Sequence, residues 1–149
     1  MNKRIFITLL SSVLVSGCFF GEVGSGYITK TCTKVITYDE VEVTQEKVIK
    51  SKDNNVVTII FNNTITTEKL NSTFKSIRNS YISEMNDLNS LGLTTEKNEE
   101  IENTLRVSYE FEINNISEEL RNKYDFEELA HNQIKKYEEE GYDCKWKNF

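Results

Sequence analysis

Four side chains carry most of the chemistry that this 149-residue chain could offer: Cys18, Cys32, Cys144 and the single histidine, His131. A thiol or an imidazole can serve as nucleophile, general base or metal ligand. Their spacing argues against each role. One histidine and three dispersed cysteines do not make the paired ligands of a zinc site. No Cys-x-x-Cys occurs, so the dithiol redox motif is missing. A Ser-His-Asp arrangement would have to use His131, and no Gly-x-Ser-x-Gly elbow presents a serine to it. A nucleophilic Cys32 or Cys144 with His131 is the remaining arrangement. His131 reads more simply as a surface residue off the apolar stripe of a helix.

Carboxylates are plentiful and unpatterned. Asp39, Glu40 and Glu42, or Glu99, Glu100 and Glu102, could approach a hard cation, but neither run has the calcium-loop spacing with its central glycine. They read as solvated charge. The glycines between 21 and 26 precede the domain rather than join a strand to a helix, so they form no phosphate loop. With 18 Lys+Arg against 24 Asp+Glu the net charge is −6. That balance argues against nucleic acid and against a basic membrane-binding patch. Tyr142, Trp146 and Phe149 cluster near the C-terminus, either as core around Cys144 or as a binding surface. No catalytic residue, metal or cofactor is assigned, and a non-enzymatic binding or accessory module is expected, with a structural spacer or an unrecognised hydrolase as the alternatives.

The elements that would position these residues follow from periodicity. Ile28 to Ile36 is rich in Thr, Val and Ile and predicts a strand. Asp39-Glu40 breaks it, and Val41 to Lys50 predicts a second. Asp53-Asn54-Asn55 tolerates the left-handed backbone of a tight turn. Val56 to Phe61 then predicts a third strand, central in the sheet and paired with the second as a hairpin. Leu70, Phe74, Ile77, Tyr81, Met85 and Leu88 recur at helical steps. Thr66, Thr67 or Asn71 could cap that helix, and Gly92 would end it. After a polar loop, Leu105, Val107, Tyr109, Phe111 and Ile113 alternate with polar residues, a strand with one dry face.

Ser117 to Leu120 predicts a short helical turn. Asp125, with Glu128 three residues on, would cap a further helix whose buried stripe is Phe126, Leu129, Ala130, Ile134 and Tyr137, closed by Gly141. Tyr142 to Trp146 would be a last short strand. The expected fold is α+β, in the order β-β-β-α-β-α-β: an antiparallel sheet of four to five strands with two helices packed on one face. A binding module of this kind would show an apolar or aromatic patch on the open sheet face, and a structural spacer a uniformly polar one.

At the N-terminus, Lys3 and Arg4 precede an apolar stretch from Ile5 to Val15, followed by small residues, which is the order of a secretory signal. The stretch is too short to span a bilayer, which needs about 20 residues. Leu14-Val15-Ser16-Gly17-Cys18 resembles the lipobox of bacterial lipoproteins. That resemblance implies a signal peptide over 1–17, a diacylglyceryl group on the Cys18 sulfur, and attachment to the outer face of the cell membrane. Two acyl chains on one residue hold a protein stably where one does not. Residues 18–26 form a short glycine-containing tether, and 27–149 a single domain.

If Cys18 carries lipid, Cys32 and Cys144 remain, one near each end of the domain. Outside the membrane they could form a disulfide, the favoured reading, or remain two free thiols. A bridge would require the first and last strands to lie side by side.

The lipobox, the hairpin, the long helix, the alternating strand and the closing segment Lys136-Tyr137-Glu138-Glu139-Glu140-Gly141-Tyr142 together resemble the YehR-like family of small bacterial lipoproteins. Leu91-Gly92-Leu93-Thr94 is a second local echo. The resemblance implies an α+β domain and supplies no site residues. The expected partners are the membrane, through Cys18, and an envelope protein or small ligand.

Overall fold

Two tight reversals set the sheet. Asp39 and Glu40 have φ of 44° and 66°, and Asp53 and Asn54 have φ of 50° and 63°. Both pairs have the positive φ of the two-residue hairpin turns whose twist matches that of the flanking strands. They join β1 (Tyr27–Tyr38), β2 (Val41–Lys52) and β3 (Asn55–Thr67), with Tyr38 opposite Val41 and Lys52 opposite Asn55. This is a computed structural model; it describes residues 26–101 and 103–146, without the side chains of 94–101. The signal segment, Cys18, most of the tether and Phe149 therefore lie outside the described residues.

After β3 come α1 (Ser72–Ser90), β4 (Thr94–Ile101), β5 (Thr104–Glu112), α2 (Glu118–Lys123), α3 (Ala130–Glu139) and β6 (Asp143–Trp146). The strands form one antiparallel sheet in the order β4-β5-β3-β2-β1-β6. The α+β fold is as expected, with β3 inside the sheet and the first and last strands adjacent.

The sheet also gains an edge strand, β4, where the sequence suggested a polar loop. Thr94 to Ile101 has no apolar alternation of its own, and its strand character comes from the ladder with β5. Of the three candidate caps, Asn71 is the one used, its side chain accepting from Phe74 N at 2.7 Å; Thr66 and Thr67 belong to β3. Gly92, at φ 80°, ends α1 in a Schellman-type closure, with Leu93 N donating to Leu88 O.

α3 corrects the sequence reading. It begins at Ala130, with Leu129 at the cap position, and Asp125 is not its cap. Asp125 sits at φ 54° and forms an ion pair with Lys136. The segment before the helix is held extended by the β2–β3 turn: Val56 N donates to Glu128 O and Ala130 N to Asn54 O, both at 2.8 Å. Phe126 is still buried, as a loop residue plugging the core.

The helices cover one face. Inward residues alternate along β5 as Leu105, Val107, Tyr109 and Phe111, all buried. Phe61, Phe111, Tyr124 and Phe126 form an aromatic cluster with ring centroids 5.0 to 5.9 Å apart, the spacing that aromatic pairs favour. The opposite face is mostly polar and threonine-rich, with Val35 and the cross-strand pair Val48–Ile60 among its apolar residues. In the row Glu46-Asn62-Ser108, Asn62 donates to Glu46 at 2.9 Å and Ser108 to Asn62 at 2.8 Å.

Candidate functional site: a cleft between the helices

α1 lies over β3, β4 and β5, while α3 lies over β6, β1 and β2. Neither fully covers the middle of the sheet, and there the apolar alternation of two strands is interrupted. Gln45 and Lys47 occupy inward positions of β2 between Val43 and Ile49; Asn63 does so on β3 between Phe61 and Ile65. These polar side chains form the floor of a cleft whose walls come from α1 and the segment after α3.

The cleft has two compartments. The inner one, about 230 Å³, is lined by Lys47, Phe61, Asn63, Glu84 and Tyr109 among others. The outer one, about 630 Å³, reaches Ile36, Tyr38, Val43 and Ile77. Gln45, Ser80 and Tyr81 border both. Gln45 also ties the walls together, donating to Tyr81 Oη on α1 and accepting from Tyr142 Oη, each at 2.9 Å. One amide therefore spans the boundary between the compartments.

Charge is unevenly matched inside. Lys47 Nζ lies over the rings of Tyr137, Tyr142 and Phe61 at 4.1, 4.5 and 4.9 Å, and 3.4 Å from the Glu140 carboxylate. Burial pushes its pKa down, and Glu140 opposes that shift. Glu84 accepts from Tyr124 Oη at 2.8 Å and, more weakly, from Tyr109 Oη at 3.5 Å. Burial, together with that carboxylate, raises the pKa of both phenols. Tyr142 is pushed up to about 12 by burial and by Glu140. These phenols stay protonated as hydrogen-bond donors across the physiological range. Asn63 is 6 % exposed and lines the inner compartment. The cleft thus holds a lysine, phenol donors and two side-chain amides against aromatic walls.

Of the residues singled out from sequence for their chemistry, Asp39 borders the outer compartment and Tyr142 the inner one, and the others lie elsewhere. Cys32 and Cys144 face each other across β1 and β6 and are joined by a disulfide, with Cα atoms 3.9 Å apart. Neither is a free thiol. His131 sits at the start of α3, its Nδ1 2.8 Å from the Asn54 side-chain nitrogen. The pair is exposed and does not line the cleft. Asp39, Glu40 and Glu42 are exposed around the β1–β2 turn. Glu99 and Glu100 lie in β4, where side chains are not described, and Glu102 lies outside the described residues. Among the described residues no group of three or more His, Cys, Asp or Glu is placed to hold a metal ion. Tyr142 lines the cleft, whereas Trp146 is 58 % exposed beside Lys30. Gln45, Lys47 and Asn63 were missed, although polar residues breaking an inward alternation were a readable signal.

No family model and no curated protein matches the chain. Among solved structures, a protein from Streptococcus pneumoniae TIGR4 determined by NMR is similar, at 14% sequence identity and a TM-score of 0.50. The match covers 80% of this chain and 85% of that one. The likeness is one of fold alone.

Proposed function

We propose that this protein is a lipoprotein, anchored through Cys18 to the outer face of the cytoplasmic membrane, whose domain binds a ligand without transforming it. The cleft between the helices carries the binding reading. It combines enough volume for a small molecule or a peptide side chain with convergent polar groups on aromatic walls, the usual make-up of a ligand site. The open sheet face, where a ligand surface was expected, is mostly polar and threonine-rich and, among the described residues, forms no cleft comparable with that on the helix-covered side, so the binding site moves there. Two features support a non-enzymatic role: both cysteines of the domain are consumed in a disulfide, and His131 pairs with Asn54 away from the cleft. Among the described residues no helix is long and apolar enough to cross a membrane, which is compatible with a lipid anchor.

The test uses a soluble fragment set followed by backbone NMR. Binding is expected to shift Gln45, Lys47, Asn63 and Tyr81, and Ser80→Trp, which fills the border between the compartments, is expected to abolish it. Fragments that bind elsewhere, or that ignore the tryptophan, would refute the cleft. For the anchor, Cys18→Ala is expected to leave the domain folded and release it from membranes. Continued tight attachment would refute lipidation.

A further inference from the structure

β6 is too short to protect β1. It pairs only with Lys30 to Thr33, and before Asp143 the chain passes through Tyr142 and Gly141 into α3. Lys34 to Tyr38 therefore have β2 on one side and, among the described residues, no strand on the other. A strand left this way presents a row of N–H and C=O groups that any extended chain can pair with. Two of the usual protections are missing: the segment has no proline, and its pairing with β2 runs without a bulge. Its one lysine, Lys34, is turned over the sheet to donate to Glu140 O at 2.7 Å. Val35 and Tyr38 are 56 % and 49 % exposed. Beside this edge lies the outer compartment of the cleft, with Ile36 and Tyr38 on its near side and Ser76 and Ile77 of α1 on its far side.

We infer that the Lys34–Tyr38 edge takes up an extended polypeptide segment as an added strand, whose alternate side chains drop into the outer compartment. This deepens the binding reading above and rests on it. Main-chain pairing would supply affinity and the pocket specificity, as in other cases of strand addition. Ile36, Val43 and Ile77 supply the apolar part of a lining that also holds Asp39 and the hydroxyls of α1, so apolar inserted side chains would pack against those three. Asp39, Glu40 and Glu42 are exposed at the end of the edge, so the segment carries a basic residue there. A second copy of this chain is the poorer occupant. The free edge is five residues long, against roughly 20–30 residues a side in a stable protein interface. Two copies at net −6 each would also repel.

The experiment exposes the full chain, in detergent micelles, to a pool of random nonapeptides and identifies those retained. Retained peptides are expected to alternate apolar residues, to carry a basic residue, and to slow amide exchange across Lys34–Tyr38. An extended strand pairs with one neighbour through every second residue. N-methylation of one alternate set should therefore weaken binding at least about tenfold, the loss of one or two hydrogen bonds, and methylation of the other set should not. Retention of no peptide, or equal tolerance of both methylated sets, would overturn strand addition. Shifts confined to Lys47 and Asn63 would overturn it too, while leaving the cleft reading intact. Protection of Lys34–Tyr38 that grows with protein concentration alone would replace the peptide with a second copy.

Discussion

Lys47 Nζ stands 4.1 Å from the centre of the Tyr137 ring, on the side chain of a residue that is itself 1 % exposed. The ring faces stabilise the cation, burial works against it, and the Glu140 carboxylate opposes burial. Glu140→Gln removes that opposing charge, so the Lys47 pKa is expected to fall further below the ordinary lysine value. NMR titration of the lysine side chains checks this. An unchanged value would mean that the rings alone hold the charge.

Alkaline pH should destabilise the domain. Burial raises the pKa of Tyr81, Tyr109, Tyr124, Tyr137 and Tyr142 above the ordinary 10.0. The folded state keeps those protons where the unfolded chain releases them. Their contribution is complete below pH 10 and is lost as the pH rises through the folded values, that of Tyr142 being about 12. Lys47 acts in the opposite sense, since its lowered pKa makes stability rise with pH below 10.5. It is one group against five. Urea midpoints should fall above pH 10, and phenolate absorbance should appear with unfolding rather than ahead of it. Early ionisation of these five phenols would contradict the burial.

Breaking the Cys32–Cys144 disulfide should cost stability without erasing the fold. It closes a sequence separation of 112 residues, for which loop-closure entropy gives up to about 4–5 kcal/mol. Denaturant midpoints with and without reductant, or in a double alanine variant, measure the loss. A change below about 1 kcal/mol would mean that the denatured chain retains structure.

Two substitutions separate core from cap. Phe111→Ala removes a ring from the centre of the aromatic cluster, where it touches Phe61, Tyr124 and Phe126. The expected cost is about 3–5 kcal/mol. Asn71→Ala removes the α1 cap and the Asn71 hydrogen bond to Asp39 O, and should cost about 1–2 kcal/mol. Thermal or chemical unfolding of both variants gives the comparison, and equal costs would contradict it.

The residues that were legible in sequence are those whose local pattern and tertiary role agree. Leu105 to Ile113 alternates because one face is dry, and it does so in the fold. Gly92 and Gly141 stand at positive φ after their helices, as their positions suggested. β4 was illegible because an edge strand of threonine and charged residues takes its conformation from its neighbour. The start of α3 was misplaced because Asp125 and Glu128 imitate a capping box, while the β2–β3 turn holds the intervening chain extended. The cleft was hidden for a related reason: periodicity marks where Gln45, Lys47 and Asn63 point, but not that two helices leave a gap above them.

The course of β1 gives the domain a mechanical direction. Tyr27 leaves toward the N-terminus at one end of the strand, and the unpaired edge with the mouth of the outer compartment lies at the other, about 36 Å away at roughly 3.3 Å per residue. A load between an N-terminal attachment and something gripped at Lys34–Tyr38 would run lengthwise along this one strand. The β1 backbone would carry it covalently, and the hydrogen bonds in shear would be those between this edge and the gripped segment, loaded together rather than unzipped one by one.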